Sequence, residues 1–297
     1  MRSVNNHTRI QSLTNQVGSR LSQDTLKDPS PQDCAAPTTD LIVQVDGGHI
    51  PVKEKGKRSF EALSAIAYQP DNIEQIDKHH RQITKKTCVI SARDDELETI
   101  KTFVLNAARK QGMTELTRVT GLADGASNCW SVSLPLNSHC KNLECILDWF
   151  HIGHIGKKFE NVKNALGEGF DKSLESAKWP LWHGEAEETL TQLKLLQDNI
   201  TDDAKQSKIK GLHDYLKNNL AYLINYDERE SSGKTYTSQV AESHIDSLIN
   251  ARHKRKRKMQ WTREGAHNVL QIRAKMVSQE WNGQWQNTVL EALVGAA

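Results

Sequence analysis

The pattern of apolar and polar positions predicts an α/β fold in the first half of the chain. Residues 1–40 are mostly polar, and only 11–26 has apolar side chains at helical spacing. After residue 40, β-branched and apolar runs bounded by polar or turn residues predict three strands, at 41–45, 60–68 and 87–92. Because these runs follow one another at short intervals, we expect an antiparallel meander rather than βαβ units.

The rest of the pattern completes a recognisable order of elements. An apolar stripe through 97–107, with acidic residues at its start, predicts a helix. Two more strands are predicted at Arg118–Ala123 and at Cys145–Phe150, which holds Asp148. A helical pattern occupies 152–230, and a last helical region runs from Gln239 to about Val277, interrupted around 260–263. This is the order of an α/β, RNase H-like mixed sheet with a helical insertion before its final helix.

The same pattern predicts how the chain is organised. The expected segments are 1–40 as a linker, 41–151 as an RNase H-like core, 152–230 as a helical insertion, 231–285 as a last helical region, and 286–297 as a tail.

Three carboxylates are candidates for a metal site. Asp46 and Asp124 each follow an apolar run and precede a glycine, which predicts a carboxylate at a strand end beside a tight turn. Glu242 lies near the start of the late helical region. If that helix crosses the sheet, the three could converge on Mg²⁺ or Mn²⁺, and two such ions would suit phosphodiester chemistry. The alternative is that these are ordinary turn and surface acids.

A second motif, Asp148-Trp-Phe-His151, ends the last predicted strand. Asp148 and His151 could reach the same side of a turn, where the histidine would contact phosphate or orient a carboxylate. The alternative is a core aromatic pair, Trp149 and Phe150, flanked by two satisfied polar groups.

Composition places one strong charge feature in an otherwise balanced chain. Its 297 residues are 37% hydrophobic and 26% charged, and the net charge is only +2. Yet the stretch from Ser247 to Arg263 has no acid and seven cations: Arg252, Lys254, Arg255, Lys256, Arg257, Lys258 and Arg263. Such a run predicts contact with DNA or RNA phosphates, and Trp261 could stack on an unpaired base; a solvated charged face, and a tryptophan packing the helix turn, are the alternatives.

Other features limit the class of protein. No apolar run approaches the roughly 20 residues of a membrane span, and no apolar signal region follows the N-terminus. The five cysteines include no CxxC pair, which favours a reducing cytosol. We therefore expect a cytoplasmic protein, associated with the nucleoid if it binds DNA, with no membrane partner.

Taken together, these motifs resemble the DDE transposases of bacterial insertion sequences, closest to the Kra-type group and more distantly to Mutator-like elements. The matching pieces are Val45-Asp-Gly-Gly, Leu122-Ala-Asp-Gly-Ala, Ile146-Leu-Asp-Trp-Phe-His, and a C-terminal block that begins Val240-Ala-Glu-Ser-His and includes Met259-Gln-Trp-Thr-Arg. The resemblance covers about residues 40–285.

This resemblance implies a two-metal enzyme that hydrolyses a phosphodiester at the element end and joins the freed 3′-hydroxyl to target DNA. Asp46, Asp124 and Glu242 would hold two Mg²⁺ or Mn²⁺ ions, with Asp148 and His151 in support. Residues 252–258 would line the path of double-stranded DNA, and the chain would act as a homo-oligomer on it.

One departure from the family and two alternatives remain open. Only about 40 residues precede the first predicted strand, where such transposases have a longer end-recognition region. We therefore expect a truncated reading frame, in which 1–40 is a linker or the remnant of an N-terminal DNA-binding region. By the same resemblance, 231–285 would hold the catalytic helix and a DNA-contact region. An RNase H-like nuclease or resolvase would need the same carboxylates without the Met-Gln-Trp-Thr block. A DNA-binding remnant without catalysis is the third possibility.

Overall fold

The structure, a computed structural model, describes residues 6–77, 81–153, 158–167, 169–241, 246–254 and 259–282. Its strands are β1 (Asp40–Pro51), β2 (Ser59–Tyr68), β3 (Ile73–Gln75), β4 (Arg81–Ile83), β5 (Thr87–Ser91), β6 (Arg118–Ala123) and β7 (Asn142–Leu147). Its α-helices are α1 (His7–Leu26), α2 (Glu98–Lys110), α3 (Ser127–Ser133), α4 (Trp149–Gly153), α5 (Lys158–Leu166), α6 (Asp171–Trp182), α7 (Ala186–Asp198), α8 (Asp203–Asn218), α9 (Tyr226–Ser231) and α10 (Arg263–Val277). A π-helix, Asp246–Lys254, lies before α10.

The chain divides into two compact units. The first unit draws its described residues from 1–121, 128–144 and 240–297, and the second from 122–127 and 145–239. The predicted helical insertion, 152–230, therefore falls inside the range of the second unit.

A five-stranded mixed sheet has the order β5-β2-β1-β6-β7. β2 runs antiparallel to both β1 and β5. β6 and β7 run in the same direction, because the Lys141 N–H, before β7, bonds the Thr117 carbonyl, before β6, and the Asp148 N–H bonds Ala123 where both strands end. The α/β class and the antiparallel meander expected from sequence are confirmed.

The loop between β2 and β5 holds an element that the sequence pattern did not predict. β3 and β4 pair as a small antiparallel hairpin, with Ile73 opposite Ile83. Ile83 is fully buried, which gives this short hairpin an apolar anchor.

The turn predicted at Asp46-Gly-Gly is wrong. β1 continues through these residues to Pro51, and Asp46 pairs with Ser64 of β2 in an unbroken ladder. The strand has glycine at these two positions because neighbouring groups occupy the space that a larger side chain would need. A Cβ on Gly47 would lie 2.6 Å from Glu61 Oε1, and one on Gly48 would lie 2.5 Å from Ile249 Cδ1.

The last strand also differs from its prediction. β7 begins at Asn142 and ends at Leu147, so Asp148 follows the strand and Trp149 begins α4. Asp148 Oδ1 accepts the Phe150 N–H at 3.0 Å. A carboxylate that bonds a free N–H in the first helical turn favours the start of a helix there, which explains why the strand stops.

The predicted N-terminal helix is confirmed and begins earlier, at His7. It is no linker, because α1 packs against α10 within the first unit. A Cβ on Gly18 would lie 2.2 Å from the Asn268 carbonyl oxygen, so the two helix backbones approach closely. Nearby, the Ser22 hydroxyl lies 2.9 Å from His267 Nε2 in a buried contact.

The second unit is mainly helical, as predicted. α5 packs against α6 and α8, and α7 packs against α6 and α8. An aromatic cluster lies beside α4 and α9, with the Trp149 ring centroid 4.8 Å from Trp182 and 4.7 Å from Tyr226. Among the described residues, we find no helix with the length and apolarity needed to cross a membrane.

Candidate active site

Asp46 lies on an interior strand that also anchors the π-helix. Its side chain is partly buried, and Oδ1 accepts the Gly47 N–H at 2.6 Å. Gly48 shares the strand face of Asp46, because alternate residues of a strand point to the same side. Gly48 meets the side chain of Ile249, in the π-helix. Asp46 and Gly48 thus lie on one face of β1, and the π-helix that follows Glu242 in sequence covers this face at Gly48.

The chain returns to the same strand after the basic run. Val52 and Trp261 form an isolated parallel bridge. The Trp261 N–H bonds the Pro51 carbonyl at 3.0 Å, and the Lys53 N–H bonds the Trp261 carbonyl at 3.0 Å. The described residues on both sides of 255–258 are thus attached to β1 or its end, Ile249 on one side and Trp261 on the other.

Two residues of the basic run, Arg252 and Arg263, make contacts within the first unit. The exposed guanidinium of Arg252 lies 4.9 Å from the Trp261 ring, and the His253 ring packs against the same indole at 4.5 Å. Arg263 Nη1 donates to the Ala92 carbonyl at 3.0 Å. These contacts show that Trp261 packs within the protein, which was the alternative to base stacking in the sequence analysis. Stacking of Trp261 on a base stays a prediction.

The rest of the basic run follows the π-helix in sequence. The π-helix ends at Lys254. Arg255, Lys256, Arg257 and Lys258 lie outside the described residues, and so does Glu242.

Asp124 lies in a tight turn after β6, as predicted. Gly125 has φ +93°, a conformation that favours glycine. Asp124 Oδ1 accepts the Ala126 N–H at 3.0 Å, and the Tyr215 hydroxyl donates to the Asp124 carbonyl at 2.7 Å. Asn219 covers the turn, since a Cβ on Gly125 would lie 2.9 Å from its Nδ2.

Asp148 is a buried anchor in the second unit. Its side chain is 1% exposed, and Oδ1 accepts the N–H groups of Phe150 and Ser238 at 3.0 and 2.9 Å. His151 Nε2 lies 3.6 Å from Oδ2. Burial raises the pKa of Asp148, and the charge of His151 together with these hydrogen bonds opposes the shift. Asp148 and His151 lie close together and Phe150 is buried, as the alternative with a core aromatic pair and satisfied polar groups also expects. A contact of His151 with phosphate stays a prediction.

These contacts attach the segment that precedes Glu242. Besides the bond from Ser238, the Trp149 N–H bonds the Tyr236 carbonyl at 3.3 Å. Residues 236–238 are thereby tied to the chain just after β7. Because a buried carboxylate without partners is costly, the bond from Ser238 also helps to keep Asp148 in place.

Two of the three expected metal ligands, Asp46 and Asp124, are among the described residues. Among the residues that the structure describes, no three histidine, cysteine, aspartate or glutamate side chains form a group that could hold a metal ion. Asp46 and Asp124 are both partly buried and offer carboxylate oxygens, the ligands that Mg²⁺ and Mn²⁺ prefer. The third expected ligand, Glu242, is not among the described residues.

Sequence reasoning missed the residues that hold these carboxylates. Tyr215, Asn219 and Ser238 act through contacts to Asp124, Gly125 and Asp148 that only the folded chain reveals. The sequence did contain a signal for the packing beside Asp46. A glycine within a strand often marks the close approach of another group, and two glycines follow Asp46.

Comparison of the chain with protein families, with curated proteins and with solved structures found no match.

Proposed function

We propose that this chain is the catalytic core of a DNA transposase, in which Asp46, Asp124 and Glu242 hold two Mg²⁺ or Mn²⁺ ions. The sheet order β5-β2-β1-β6-β7, with an antiparallel meander followed by two strands of common direction, is compatible with an RNase H-like core. The helices of the second unit are compatible with the helical insertion that the proposal expects.

One observation carries the proposal. The strand that holds Asp46 also anchors the π-helix at Gly48 and receives the returning chain at Val52. Glu242 comes shortly before that helix, and the basic run lies between the two attachments. This arrangement ties to one strand the segment that follows the third proposed carboxylate and the chain on both sides of the proposed DNA contacts.

The proposed roles follow from the chemistry of the side chains. Bound divalent ions would supply Lewis acidity for phosphodiester hydrolysis and strand transfer. Asp46 and Asp124 would hold them through carboxylate oxygens, and Asp148 would keep the segment before Glu242 attached to the end of β7. The cations from Arg252 to Lys258 would neutralise DNA phosphates, which predicts binding that weakens as salt rises.

The test uses the full chain, Mg²⁺ or Mn²⁺, a duplex made from the DNA that flanks the gene, and a supercoiled target plasmid. We expect joined products with the wild type and their loss in Asp46→Asn, Asp124→Asn and Glu242→Gln. Asp71→Asn, an exposed acid in the turn before β3, is the matched control and should keep activity. Loss of a group that supports a metal ligand commonly costs about 10- to 100-fold in metal affinity or activity, so loss of a ligand itself should lower the rate by at least about a hundredfold.

Each of the other outcomes would favour a different function for this chain. Nicking without joining, abolished by the same variants, would favour an RNase H-like nuclease or resolvase. Salt-dependent DNA binding by a chain that is inert with either metal would favour a non-catalytic remnant. Analytical ultracentrifugation on the DNA would test the expected homo-oligomer.

A further inference from the structure

The helical part of the second unit makes a specific contact with the turn that carries Asp124. α8 carries Tyr215, and Asn219 follows one turn later at its C-cap. Residues four apart on a helix lie on the same face, so both can reach the same neighbouring loop. Both meet the Asp124-Gly125 turn.

Tyr215 holds the backbone of the turn. Its hydroxyl donates to the Asp124 carbonyl at 2.7 Å, and this is a contact between residues 91 positions apart. The phenol is the donor in this bond, because a carbonyl oxygen can only accept. The Lys158 ammonium lies 4.3 Å from the Tyr215 ring and covers its face.

Asn219 packs against the glycine of the turn. Its Nδ2 donates to the Tyr215 carbonyl at 3.0 Å, so its amide is itself oriented by α8. The same amide occupies the space beside Gly125, whose φ of +93° leaves little freedom for another residue. One helix end therefore supplies both the hydroxyl and the amide that contact the turn.

The side chain of Asp124 is oriented by the turn. Oδ1 accepts the Ala126 N–H at 3.0 Å, which leaves Oδ2 without a described hydrogen bond. A change in the backbone at Asp124 would alter this bond and, with it, the direction of the carboxylate. A carbonyl held by Tyr215 limits that change.

We infer that Tyr215 is a positioning residue for Asp124: through the backbone carbonyl, it orients the carboxylate that the proposed function assigns to metal binding. This inference rests on the proposed function, and it gives the helical insertion a part in the chemistry. Tyr215 itself touches neither metal nor DNA in this role.

The test is Tyr215→Phe in the full chain, which keeps the ring and removes only the hydroxyl. We expect the affinity for Mn²⁺, followed by electron paramagnetic resonance of the free ion, to fall about five- to tenfold, as suits the loss of one hydrogen bond. The kcat for DNA cleavage should fall by a similar factor with KM for DNA unchanged. Hydrogen exchange at the Ala126 amide should accelerate.

Tyr236→Phe is the matched control, because it also removes one phenol hydroxyl of the second unit, the one that bonds Glu230 at 2.5 Å. It should leave Mn²⁺ affinity and Ala126 exchange unchanged. The melting temperature of both variants shows whether they fold, and exchange elsewhere in α8 separates a loosened turn from a loosened helix.

Two results would overturn the inference, and they are distinguishable. If Asp124→Asn weakens Mn²⁺ binding while Tyr215→Phe leaves Mn²⁺ affinity and Ala126 exchange at wild-type values, Tyr215 does not position the carboxylate and the proposed function stands. If the wild type itself neither binds Mn²⁺ nor cleaves DNA, the proposed function fails, and the inference fails with it.

Discussion

The two units hold their candidate carboxylates by different means. In the first unit, Asp46 belongs to a continuous ladder in which β1 pairs with β2 from Ile42 to Pro51. In the second, Asp124 lies in a turn held by the side chains of Tyr215 and Asn219. A ladder of main-chain hydrogen bonds survives most side-chain changes, whereas a turn held by two side chains does not. Asp46 should therefore respond to changes in packing, and Asp124 to the loss of single polar groups.

Each unit also buries a titratable side chain, a histidine in the first unit and an aspartate in the second, and burial shifts their pKa values in opposite directions. His267 of the first unit is 1% exposed, and its Nδ1 accepts the Ala92 N–H at 3.3 Å, so Nε2 carries the proton and donates to the Ser22 hydroxyl. Burial, aided by Arg93, lowers the pKa of His267 to about 4. In the second unit, burial raises the pKa of Asp148. Acid should therefore affect the two units differently.

The largest expected effect is a loss of stability in the first unit on acidification. His267 has a folded pKa of about 4 against an ordinary 6.5, so the unfolded chain binds more protons between these values. The free energy of unfolding should fall by about 3 kcal/mol as pH drops from 6.5 to 4. His253, whose pKa burial also lowers to about 4, adds to the fall. Asp148 acts in reverse, because a raised pKa favours the protonated, folded state and stability is lost as pH rises.

Hydrogen exchange, corrected for the intrinsic rate at each pH, checks this prediction. Protection of α10 amides should decrease between pH 7 and pH 4.5, while the Ser238 amide, which bonds Asp148, keeps its protection. In His267→Gln the decrease in α10 should be smaller. An equal loss of protection in both units would contradict the comparison.

The next largest effects concern two helical glycines, whose replacement by alanine should change the free energy of unfolding in opposite directions. Gly18→Ala places a methyl carbon 2.2 Å from the Asn268 carbonyl oxygen, and a backbone atom cannot move aside as a flexible side chain can. We expect the free energy of unfolding to fall by about 2 kcal/mol. Gly211→Ala in α8 meets nothing within 4 Å, so the better helix propensity of alanine should raise stability by about 1 kcal/mol.

Urea unfolding followed by circular dichroism measures both variants. A Gly18→Ala protein as stable as the wild type would mean that α1 does not pack on α10 as closely as described. Destabilisation by Gly211→Ala would show that α8 has a neighbour on its exposed side.

Local sequence patterns predicted most of the fold. The runs Ser59–Tyr68, Thr87–Ser91 and Arg118–Ala123 are strands rich in buried apolar side chains, which is why their pattern was readable. The β3–β4 hairpin was missed because three-residue strands are too short to show alternation. Asp46-Gly-Gly was interpreted as a turn because the glycines dominate the local chemistry, whereas the ladder with β2 decides the conformation.

The candidate site was less predictable than the fold for a physical reason. Residue type indicates which side chains can bind a metal, so Asp46 and Asp124 could be proposed from their carboxylates and neighbouring glycines. What holds them depends on long-range contacts: Tyr215 reaches Asp124 across 91 positions, and Ser238 reaches Asp148 across 90. Neither Tyr215 nor Ser238 belongs to a motif, so a single sequence contains no pattern that marks them.

The smallest expected effect tests the packing on which Asp46 depends. Gly48→Ala brings a methyl carbon 2.5 Å from Ile249 Cδ1, and the end of that side chain can shift, so the cost should be about 1 kcal/mol. Ile249→Val removes Cδ1 and should cost about as much alone. Because the valine leaves room for the methyl group, the double variant should be less destabilised than the sum of the two, by about 1 kcal/mol in a double-mutant cycle.

The same cycle followed by DNA cleavage distinguishes a packing defect from a role in the site. If the contact helps to align Asp46 with the π-helix, Gly48→Ala should lower kcat more than its stability explains, and Ile249→Val should restore part of the loss. Additive effects on stability would mean that Gly48 and Ile249 do not touch. Additive effects on kcat, with a coupled stability, would confine the contact to packing and leave Asp46 positioned by the β1–β2 ladder alone.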